Sequence, residues 1–261
     1  MSKKVKGVIC MLVVMIIVLA GVLIYMGIKN SELKKQANEV SELKKQVEDF
    51  SQYKLYKNVI SQDEVEKTLF GQPISKERDG EYRIGVKTAI DGDYHATLTV
   101  YQAKDEKYEV LFSCPALIGK NGPGKQSEGD TKTPLGTWEI GNAYGIKDDP
   151  GSKVPFTKIT DDMYWCATGS NGKKYNQLLS SKDYPDNDFS EDEHLMDYPI
   201  RYSYLLDMGY NKACAPYAGN AIFLHCWKDE NTATGGCVAI SEENMIRVLT
   251  TVTPGTSVTI Y

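Results

Sequence analysis

The sequence predicts a mainly β domain with minor helices, preceded by a transmembrane helix and a helical stalk. Three observations support this prediction. One long uncharged run lies near the N-terminus, a charged heptad-like segment follows it, and short runs rich in β-branched and aromatic residues fill the rest. Such runs, bounded by Gly, Pro, Asn and Asp, are typical of strands. A chain of 261 residues can hold one large domain with these appendages.

The composition excludes some classes of protein. The formal net charge is -5 and the isoelectric point is about 5.4, whereas nucleic-acid binders normally carry a basic stripe. We therefore expect no nucleic-acid partner. No period of 20 to 50 residues recurs, so the chain is not a repeat protein.

The N-terminus predicts a membrane anchor. Residues 1–6 carry Lys3, Lys4 and Lys6, and residues 7–28 form an uncharged run. That length spans a hydrocarbon core of about 30 Å as a helix. The lysines favour a cytoplasmic tail at residues 1–6, with everything after the anchor outside the cell. A cleaved signal peptide is the alternative, although its apolar region is usually shorter and ends at a small-x-small site.

Residues 29–60 predict a helical stalk. Glu and Lys flank a heptad pattern of apolar residues, with Leu33, Val40 and Val47 at one position and Leu43 and Phe50 at the other. This pattern fits a short coiled coil, which would make a homodimer through the stalk. It fits equally well a lone amphipathic helix that lifts the next domain off the membrane.

Residues 61–93 form a linker or accessory segment between the stalk and the main domain. The run "SQDEVEKTLFG" looks helical and would end at Gly71. The run "EYRIGVKTAIDGDYHATLTVYQ" then alternates apolar and polar residues around Asp91–Gly92, which is typical of a β-hairpin. The main domain is expected to begin near Tyr94 and to occupy residues 94–261.

Within residues 94–261 the strand-like runs are separated late in the chain by one convincing helix. The predicted strands are "ATLTVYQ", "KYEVLFSCPALIG", "GTWEIG", "NAIFLHCW", "GCVAI" and "TSVTIY". The helix is "SEENMIRVLTTV", which Ser241 would cap, and Pro254–Gly255 follows it. These signals predict a mostly antiparallel β domain.

A histidine and a cysteine form the candidate catalytic pair. In "AIFLHCWKDENTATGGC" the strand would place Phe223 and His225 on one face and Cys226 on the other. The chain returns through Gly235 and Gly236 to Cys237. A cysteine nucleophile needs a neighbouring imidazole or oriented N–H groups to form the thiolate. The glycines would let an acyl group approach, and the N–H groups of Gly236 and Cys237 would face a developing oxyanion.

Spacing leaves other roles for the cysteines open. A His/Cys pair is more often structural than catalytic, and the other cysteines could be buried small hydrophobes or could form a disulfide outside the cell. These are Cys114, Cys166, Cys214 and Cys226. Adjacent strand residues point to opposite faces, so His225 and Cys226 would not share a tetrahedral zinc site. We expect neither a metal nor a cofactor.

Several ordered motifs resemble the L,D-transpeptidase (YkuD-type) catalytic domain family. "FLH", a polar loop and "TATGGCVAI" resemble its His…[Ser/Thr]-x-Gly-Cys signature, in which Thr234 takes the Ser/Thr position. Upstream, "LIGKNGPGKQSEGDTKTPLGTWEIGNAYG" is similar to a family segment in which a Gly-Lys-rich turn leads to Thr-Pro-x-Gly-x-Trp/Phe. "MYWCATGSNGKKYNQLL", "YLLDMGYN" and the closing "PGTSVTIY" extend the similarity to the C-terminus.

The resemblance implies a β-sandwich acting on peptidoglycan stem peptides without a cofactor. Cys237 would attack the carbonyl between the third residue and D-Ala, and His225 would act as the base. Thr234, Gly235 and Gly236 would shape the oxyanion and substrate site. An amine of a neighbouring stem would resolve the thioester into a 3→3 cross-link. The alternatives are an L,D-carboxypeptidase, with water as acceptor, and a catalytically inactive wall-binding module.

Two further segments are candidates for the cleft, and the motif has departures. His194 in "SEDEHLMDYPIRYSY" is a candidate for lining the cleft, and residues 120–132 are expected to form a long turn bordering it. An Arg often stands two residues after the family's cysteine, where this chain has Ala239. An Asn often stands shortly beyond, near Ser241, and Gly often takes the place of Cys226. The means of holding the substrate's carboxylates is therefore left open.

Overall fold

The computed structural model describes residues 78–89, 93–105, 107–169 and 174–261. The predicted anchor (7–28), the predicted stalk (29–60) and the tip of the predicted hairpin at Asp91–Gly92 lie outside the described residues. Within the described ranges, no helix is both long enough and apolar enough to cross a membrane.

The described residues contain thirteen strands and one α-helix. In chain order the strands are β1 (Tyr82–Thr88), β2 (His95–Lys104), β3 (Lys107–Leu117), β4 (Gly136–Glu139), β5 (Ala143–Gly145), β6 (Phe156–Lys158), β7 (Met163–Trp165), β8 (Leu178–Ser180), β9 (Glu193–His194), β10 (Leu205–Asp207), β11 (Phe223–Cys226), β12 (Val238–Ile240) and β13 (Ser257–Ile260). The α-helix, α1 (Glu242–Leu249), lies between β12 and β13, and short 3₁₀ turns cover Leu195–Asp197 and Arg201–Ser203.

The strands form one large sheet and one small sheet. The ten-stranded sheet has the order β4-β13-β1-β2-β3-β12-β11-β10-β5-β6, and the three-stranded sheet has the order β8-β7-β9. Trp138 on β4 and Phe156 on β6 pack against the same hydrophobic cluster although they lie on opposite edges, so the large sheet curls around that cluster. The mainly β prediction is confirmed. The expected sandwich is corrected to a curled sheet, because a single hydrogen-bonded order joins all ten strands.

The predicted hairpin is present, and it moves the boundary of the domain. Strands β1 and β2 pair antiparallel from Tyr82 opposite Gln102 to Thr88 opposite Ala96. Strand β1 also pairs in parallel with β13, so it lies in the middle of the large sheet. The domain therefore includes Tyr82, and the expected start near Tyr94 was too late, because the partner that makes β1 integral comes from the far end of the chain.

Two hydrophobic clusters lie on opposite faces of β11. Ile222, Leu224 and Cys226 belong to the larger cluster, which helix α1 covers with its buried face. Phe223 belongs to the second cluster, together with Cys237. The predicted alternation of this strand is confirmed. Helix α1 is also confirmed, since the Ser241 hydroxyl accepts a hydrogen bond from the Asn244 N–H and caps it.

Candidate active site

The parallel pairing of β11 and β12 brings the predicted histidine and cysteine together. His225 lies opposite Ala239 in the register, and Cys237 precedes the first residue of β12. Side chains two residues apart along a strand share a face, so Cys237 lies on the same face as Ala239, and Phe223 on the same face as His225. The thiol and the imidazole line one cavity on that face.

The Cys237 thiol is held by the main chain of the segment that leads into β11. Its Sγ donates to the Ala221 carbonyl oxygen at 3.1 Å and accepts a hydrogen bond from the Phe223 N–H at 3.4 Å. Ala221 has a φ of +50°, a left-handed conformation that is uncommon for a residue with a side chain. Burial raises the pKa of the Cys237 thiol to about 12, which outweighs the effect of the Phe223 N–H. The thiol is therefore protonated at neutral pH, and no thiolate is preformed.

The His225 imidazole is oriented by a carbonyl group. Its Nδ1 lies 2.8 Å from the Cys226 carbonyl oxygen. A carbonyl oxygen only accepts, so Nδ1 carries the hydrogen and Nε2 keeps its lone pair. The Tyr202 ring packs edge-on against the imidazole, with 5.7 Å between ring centroids. Burial lowers the pKa of His225 to about 4, with a smaller effect from the Arg201 charge, so the ring is a neutral base at pH 7.

The turn before Cys237 is closed by Thr234. The Thr234 hydroxyl donates to the Cys237 carbonyl oxygen at 2.7 Å and accepts from the Gly236 N–H at 3.1 Å. This corrects the expectation for Gly236, whose N–H is already bonded within the turn. The Cys237 N–H has no hydrogen-bond acceptor among the described residues, so it is the better candidate to face an oxyanion.

Of the two glycines in the turn, only Gly236 occupies a position that excludes a side chain. Gly236 has a φ of +147°, and a Cβ there would lie 2.9 Å from the Lys132 carbonyl oxygen, so both conformation and space require glycine. A Cβ at Gly235 would meet nothing within 4 Å. Gly235 and Thr234 line the cavity beside the thiol, so the space above Gly235 is open to a substrate.

Thr133 connects this turn to residues 119–133, and sequence reasoning did not identify it. Its fully buried hydroxyl accepts from the Gly119 N–H at 2.8 Å and donates to the Gly236 carbonyl oxygen at 2.8 Å. The Lys120 N–H donates to the Thr234 carbonyl oxygen at 2.9 Å. The long turn expected at residues 120–132 thus lies against the cysteine turn. The Thr-Pro pair in the quoted motif was the available signal for Thr133.

The cavity is small and is lined by charged and aromatic side chains. Its volume is about 250 Å³. Besides His225 and Cys237, its lining includes Glu193, Tyr198, Arg201, Tyr202, Lys228, Thr234, Gly235 and Ala239.

His194 does not line the cavity, which corrects its expected place there. Its ring nitrogens contact Asp197 Oδ1 at 2.9 Å and the Asp161 carbonyl oxygen at 2.8 Å, and its ring stacks on Tyr164. The preceding residue, Glu193, lines the cavity instead. Both residues form strand β9, and neighbouring strand residues point to opposite faces, so only one of the two reaches the cavity.

Three cavity residues, Glu193, Arg201 and Tyr202, were missed from the sequence. The Tyr202 hydroxyl donates to Glu193 Oε1, and this bond holds the ring that packs on His225. Burial raises the pKa of the Glu193 carboxyl, although the Tyr202 hydrogen bond acts in the opposite direction. The run "DYPIRYSY" contains no periodic signal for Arg201 and Tyr202, because a 3₁₀ turn and not a strand positions these two side chains.

The remaining cysteines are not cross-linked. Cys114, Cys166, Cys214, Cys226 and Cys237 are all free thiols in the described part of the chain. The disulfide considered for four of them is therefore absent from these residues. Cys226 lies on the face opposite His225, and burial raises the pKa of its thiol to about 12.

A buried cysteine and a neutral histidine in one cavity of a curled sheet define a candidate thiol-dependent acyl-transfer site. The family model of the L,D-transpeptidase catalytic domain (YkuD) matches residues 87–260, and the chain belongs to this family. No curated protein matches the sequence significantly.

Three solved structures are similar to the chain at low identity. Bd1075 from Bdellovibrio bacteriovorus is 18% identical, with a TM-score of 0.40 and coverage of 72% of this chain and 51% of that one. The helical cell shape determining protein Pgp2 from Campylobacter jejuni is 16% identical, with a TM-score of 0.37 and coverage of 72% and 52%. An L,D-transpeptidase (Yku) from Stackebrandtia nassauensis is 13% identical, with a TM-score of 0.32 and coverage of 76% and 62%. The chain spans only half to three fifths of these structures.

Proposed function

We propose that this protein is a cysteine-dependent L,D-transpeptidase that forms 3→3 cross-links between peptidoglycan stem peptides. One observation carries the proposal. Cys237 and His225 line the same cavity from adjacent parallel strands, and the imidazole is a neutral base whose Nε2 lone pair is available. Family membership supplies the substrate class.

In the proposed reaction, the thiol gives up its proton only as it attacks. Cys237 Sγ bonds to the carbonyl carbon between the third residue and D-Ala, and His225 Nε2 takes the thiol proton. The Cys237 N–H stabilises the oxyanion that forms. When the C–N bond breaks, the imidazolium returns the proton to the amine of the departing D-Ala, leaving a thioester on Cys237. The neutral resting pair makes this concerted order the natural one.

The second half of the reaction depends on the acceptor. The side-chain amine of a third residue on a neighbouring stem attacks the thioester, loses a proton and restores the Cys237 thiol. Water as acceptor would instead give a tripeptide, which is the L,D-carboxypeptidase alternative. A catalytically inactive wall-binding module would give neither product, and the presence of both His225 and Cys237 favours the enzyme.

We also propose that residues 7–28 anchor the protein in the cell membrane with the domain on the outer side. The lysines at the N-terminus and the length of the uncharged run support this orientation. The heptad pattern in residues 29–60 supports a stalk and, as a coiled coil, a homodimer. An outward orientation is required by the proposed substrate, because peptidoglycan lies outside the membrane. Fractionation of cells and protease treatment of intact spheroplasts test it: protein that stays soluble, or a domain that is protected, contradicts the proposal.

Mass spectrometry of disaccharide-tetrapeptides incubated with the protein tests the activity. A cross-linked dimer with loss of D-Ala is expected, whereas accumulation of tripeptide alone would favour the carboxypeptidase. Cys237→Ser should abolish both products. His225→Ala should slow thioester formation by about 10²–10⁴-fold, the usual contribution of a general base. A near-wild-type rate in His225→Ala would mean that another group accepts the thiol proton.

A further inference from the structure

Arg201 is a positive side chain of the active cavity that forms no salt bridge with a carboxylate of the described residues, although its charge acts on the Glu193 carboxyl across the cavity. Its guanidinium carbon lies 5.7 Å from the centroid of the Tyr198 ring, and no salt bridge within 4.0 Å joins it to another described residue. Lys125, close to the cysteine turn, is different because its Nζ is paired with Asp130 at 2.7 Å. A half-buried guanidinium without an anion is costly unless a ligand supplies one.

The local structure holds the start of the Arg201 turn in place. The Tyr202 N–H donates to the Tyr198 carbonyl oxygen at 2.8 Å, and the Ser203 hydroxyl donates to the Pro199 carbonyl oxygen at 3.0 Å. Tyr202 is buried between Phe223 and His225. The backbone that carries Arg201 is thereby fixed to the catalytic pair. Its charge adds to the burial that lowers the pKa of His225 and opposes the burial that raises the pKa of Cys237.

The charges and the size of the cavity favour the anionic end of a peptide as its ligand. Among the described lining residues, Arg201 and Lys228 are basic, Glu193 is a carboxyl whose pKa is raised by burial, and His225 is neutral. The volume of about 250 Å³ is below the roughly 300–1,000 Å³ of sites that enclose a drug-sized ligand. Only the end of a peptide fits inside, and the end of a stem peptide carries carboxylates.

We propose that Arg201 binds a substrate carboxylate next to the scissile bond, so that the site selects stem peptides whose carboxylates are free. This inference rests on the proposed function, in which Cys237 attacks that bond. The carboxylate is either that of the terminal D-Ala or the one on the side chain of a diaminopimelate third residue. A guanidinium binds either group through two parallel hydrogen bonds. Ala239, which lines the same cavity, contributes only a methyl group.

Binding measured without turnover tests the inference. The full chain in detergent, with Cys237→Ala to prevent acylation, is titrated with three synthetic tetrapeptides containing diaminopimelate. One has free carboxylates, one has a D-Ala amide and one has a diaminopimelate amide. Arg201→Gln should lower the affinity for the peptide with free carboxylates by about 10- to 100-fold, the effect of losing charged hydrogen bonds. One of the two amides should bind the protein with Arg201 intact as weakly as the free acid binds Arg201→Gln. Its affinity should not fall further in Arg201→Gln, and the carboxylate blocked in that amide is then the one that Arg201 binds.

Matched variants distinguish a specific site from general attraction. Arg201→Lys keeps the charge but not the two-pronged geometry, so it should recover only part of the affinity. Arg247→Gln removes an equal charge from the exposed face of α1, where Arg247 stacks on Phe112, and should not change binding. The inference would be overturned if Arg201→Gln lowered the affinity for all three peptides equally, or left it unchanged. It would also be overturned if the peptide with free carboxylates did not bind. Cleavage of the same free acid by the wild-type chain tests the proposed function separately: Arg201-dependent binding without cleavage would refute the chemistry alone.

Discussion

At His225, burial and one hydrogen bond determine both the orientation and the charge of the imidazole. The bond to the Cys226 carbonyl oxygen fixes the hydrogen on Nδ1, and desolvation disfavours the imidazolium. The same burial makes the Cys237 thiol a weak acid. The resting site therefore holds two neutral groups, and charge develops only when a substrate is present.

The lowered pKa of His225 predicts a loss of stability in acid. The unfolded chain binds a proton below its ordinary pKa of about 6.5, whereas the folded chain does so only near pH 4, so stability falls as the pH drops through this window. The contribution is about 3 kcal/mol between pH 7 and pH 4. Urea unfolding of wild type and His225→Gln at several pH values checks it. The variant should lose this part of the acid sensitivity, and identical pH profiles would contradict the assignment. The half-exposed His95 gives a control in His95→Gln, which should retain the acid loss.

The burial of the thiols predicts an order of alkylation at neutral pH. Cys214 is the most exposed of the described cysteines, and Cys237 is both buried and protonated. Iodoacetamide should therefore modify Cys214 before Cys237, because access and thiolate fraction control the rate. A preformed thiolate at Cys237 would give the opposite order.

A substrate mimic should reverse that preference. The family resemblance implies that a carbapenem acylates the nucleophile, so its adduct is expected on Cys237 and not on Cys214. Peptide-level mass spectrometry of both reactions locates the adducts, with Cys226→Ala as the control. A carbapenem adduct that survives Cys237→Ser would exclude Cys237 as the nucleophile.

At the level of elements, two loops hold the catalytic strands at their cysteine end. The carbonyl oxygen of Ala221, in the segment before β11, accepts a hydrogen bond from the thiol. The Ala221 N–H donates to Asn176 Oδ1 at 3.1 Å. Residues 119–133 hold the turn before β12 through Thr133. The position of the thiol thus depends on contacts from segments that are distant in sequence.

Thr133→Val should destabilise the domain and slow thioester formation. The substitution keeps the shape but leaves the buried Gly119 N–H and Gly236 carbonyl without their partner, at a cost of about 1–3 kcal/mol. Thr133→Ser keeps the hydroxyl and is the matched control. Denaturant unfolding and acylation rates measure both effects. If Thr133→Ser were as damaging as Thr133→Val, the methyl group and not the hydroxyl would be responsible.

At the level of the whole molecule, the first and last strands of the described residues pair with each other in the large sheet. Strand β1 lies between β2 and the last strand, β13, and its Ile84 and Val86 are almost fully buried. The C-terminal strand in turn pairs with β4. Without β1, strands β2 and β13 would each lose one neighbour in the sheet.

Truncation from the N-terminus should locate the start of the folded domain through its effect on thermal unfolding. A chain that begins at residue 78 should unfold like the full protein, because it keeps every strand of the described sheet. A chain that begins at Tyr94 loses β1, and with it the burial of Ile84 and Val86, at about 1.5–3 kcal/mol for each side chain. That loss is a large part of the 5–15 kcal/mol typical of a domain. Thermal unfolding of both chains is the measurement, and equal midpoints would show that β1 is dispensable.

The sequence by itself determined the elements of the site and much of its chemistry. Period-two alternation assigned Phe223 and His225 to one face of a strand and Cys226 to the other, because neighbouring strand residues always point to opposite sides. The capped helix at Ser241 and the hairpin of β1 and β2 were equally legible, since caps and alternation are local signals. The ordered motifs around Cys237 identified the family.

Only the tertiary structure decided how the cavity is lined and how its groups are charged. It placed Glu193 there and His194 outside, and it added Arg201 from a 3₁₀ turn that no pattern predicts. It also curled one sheet where a sandwich was expected, and it made the His225 and Cys237 pair neutral. The physical reason is that burial and long-range pairing depend on segments far apart in the chain, whereas propensity and alternation depend only on neighbours.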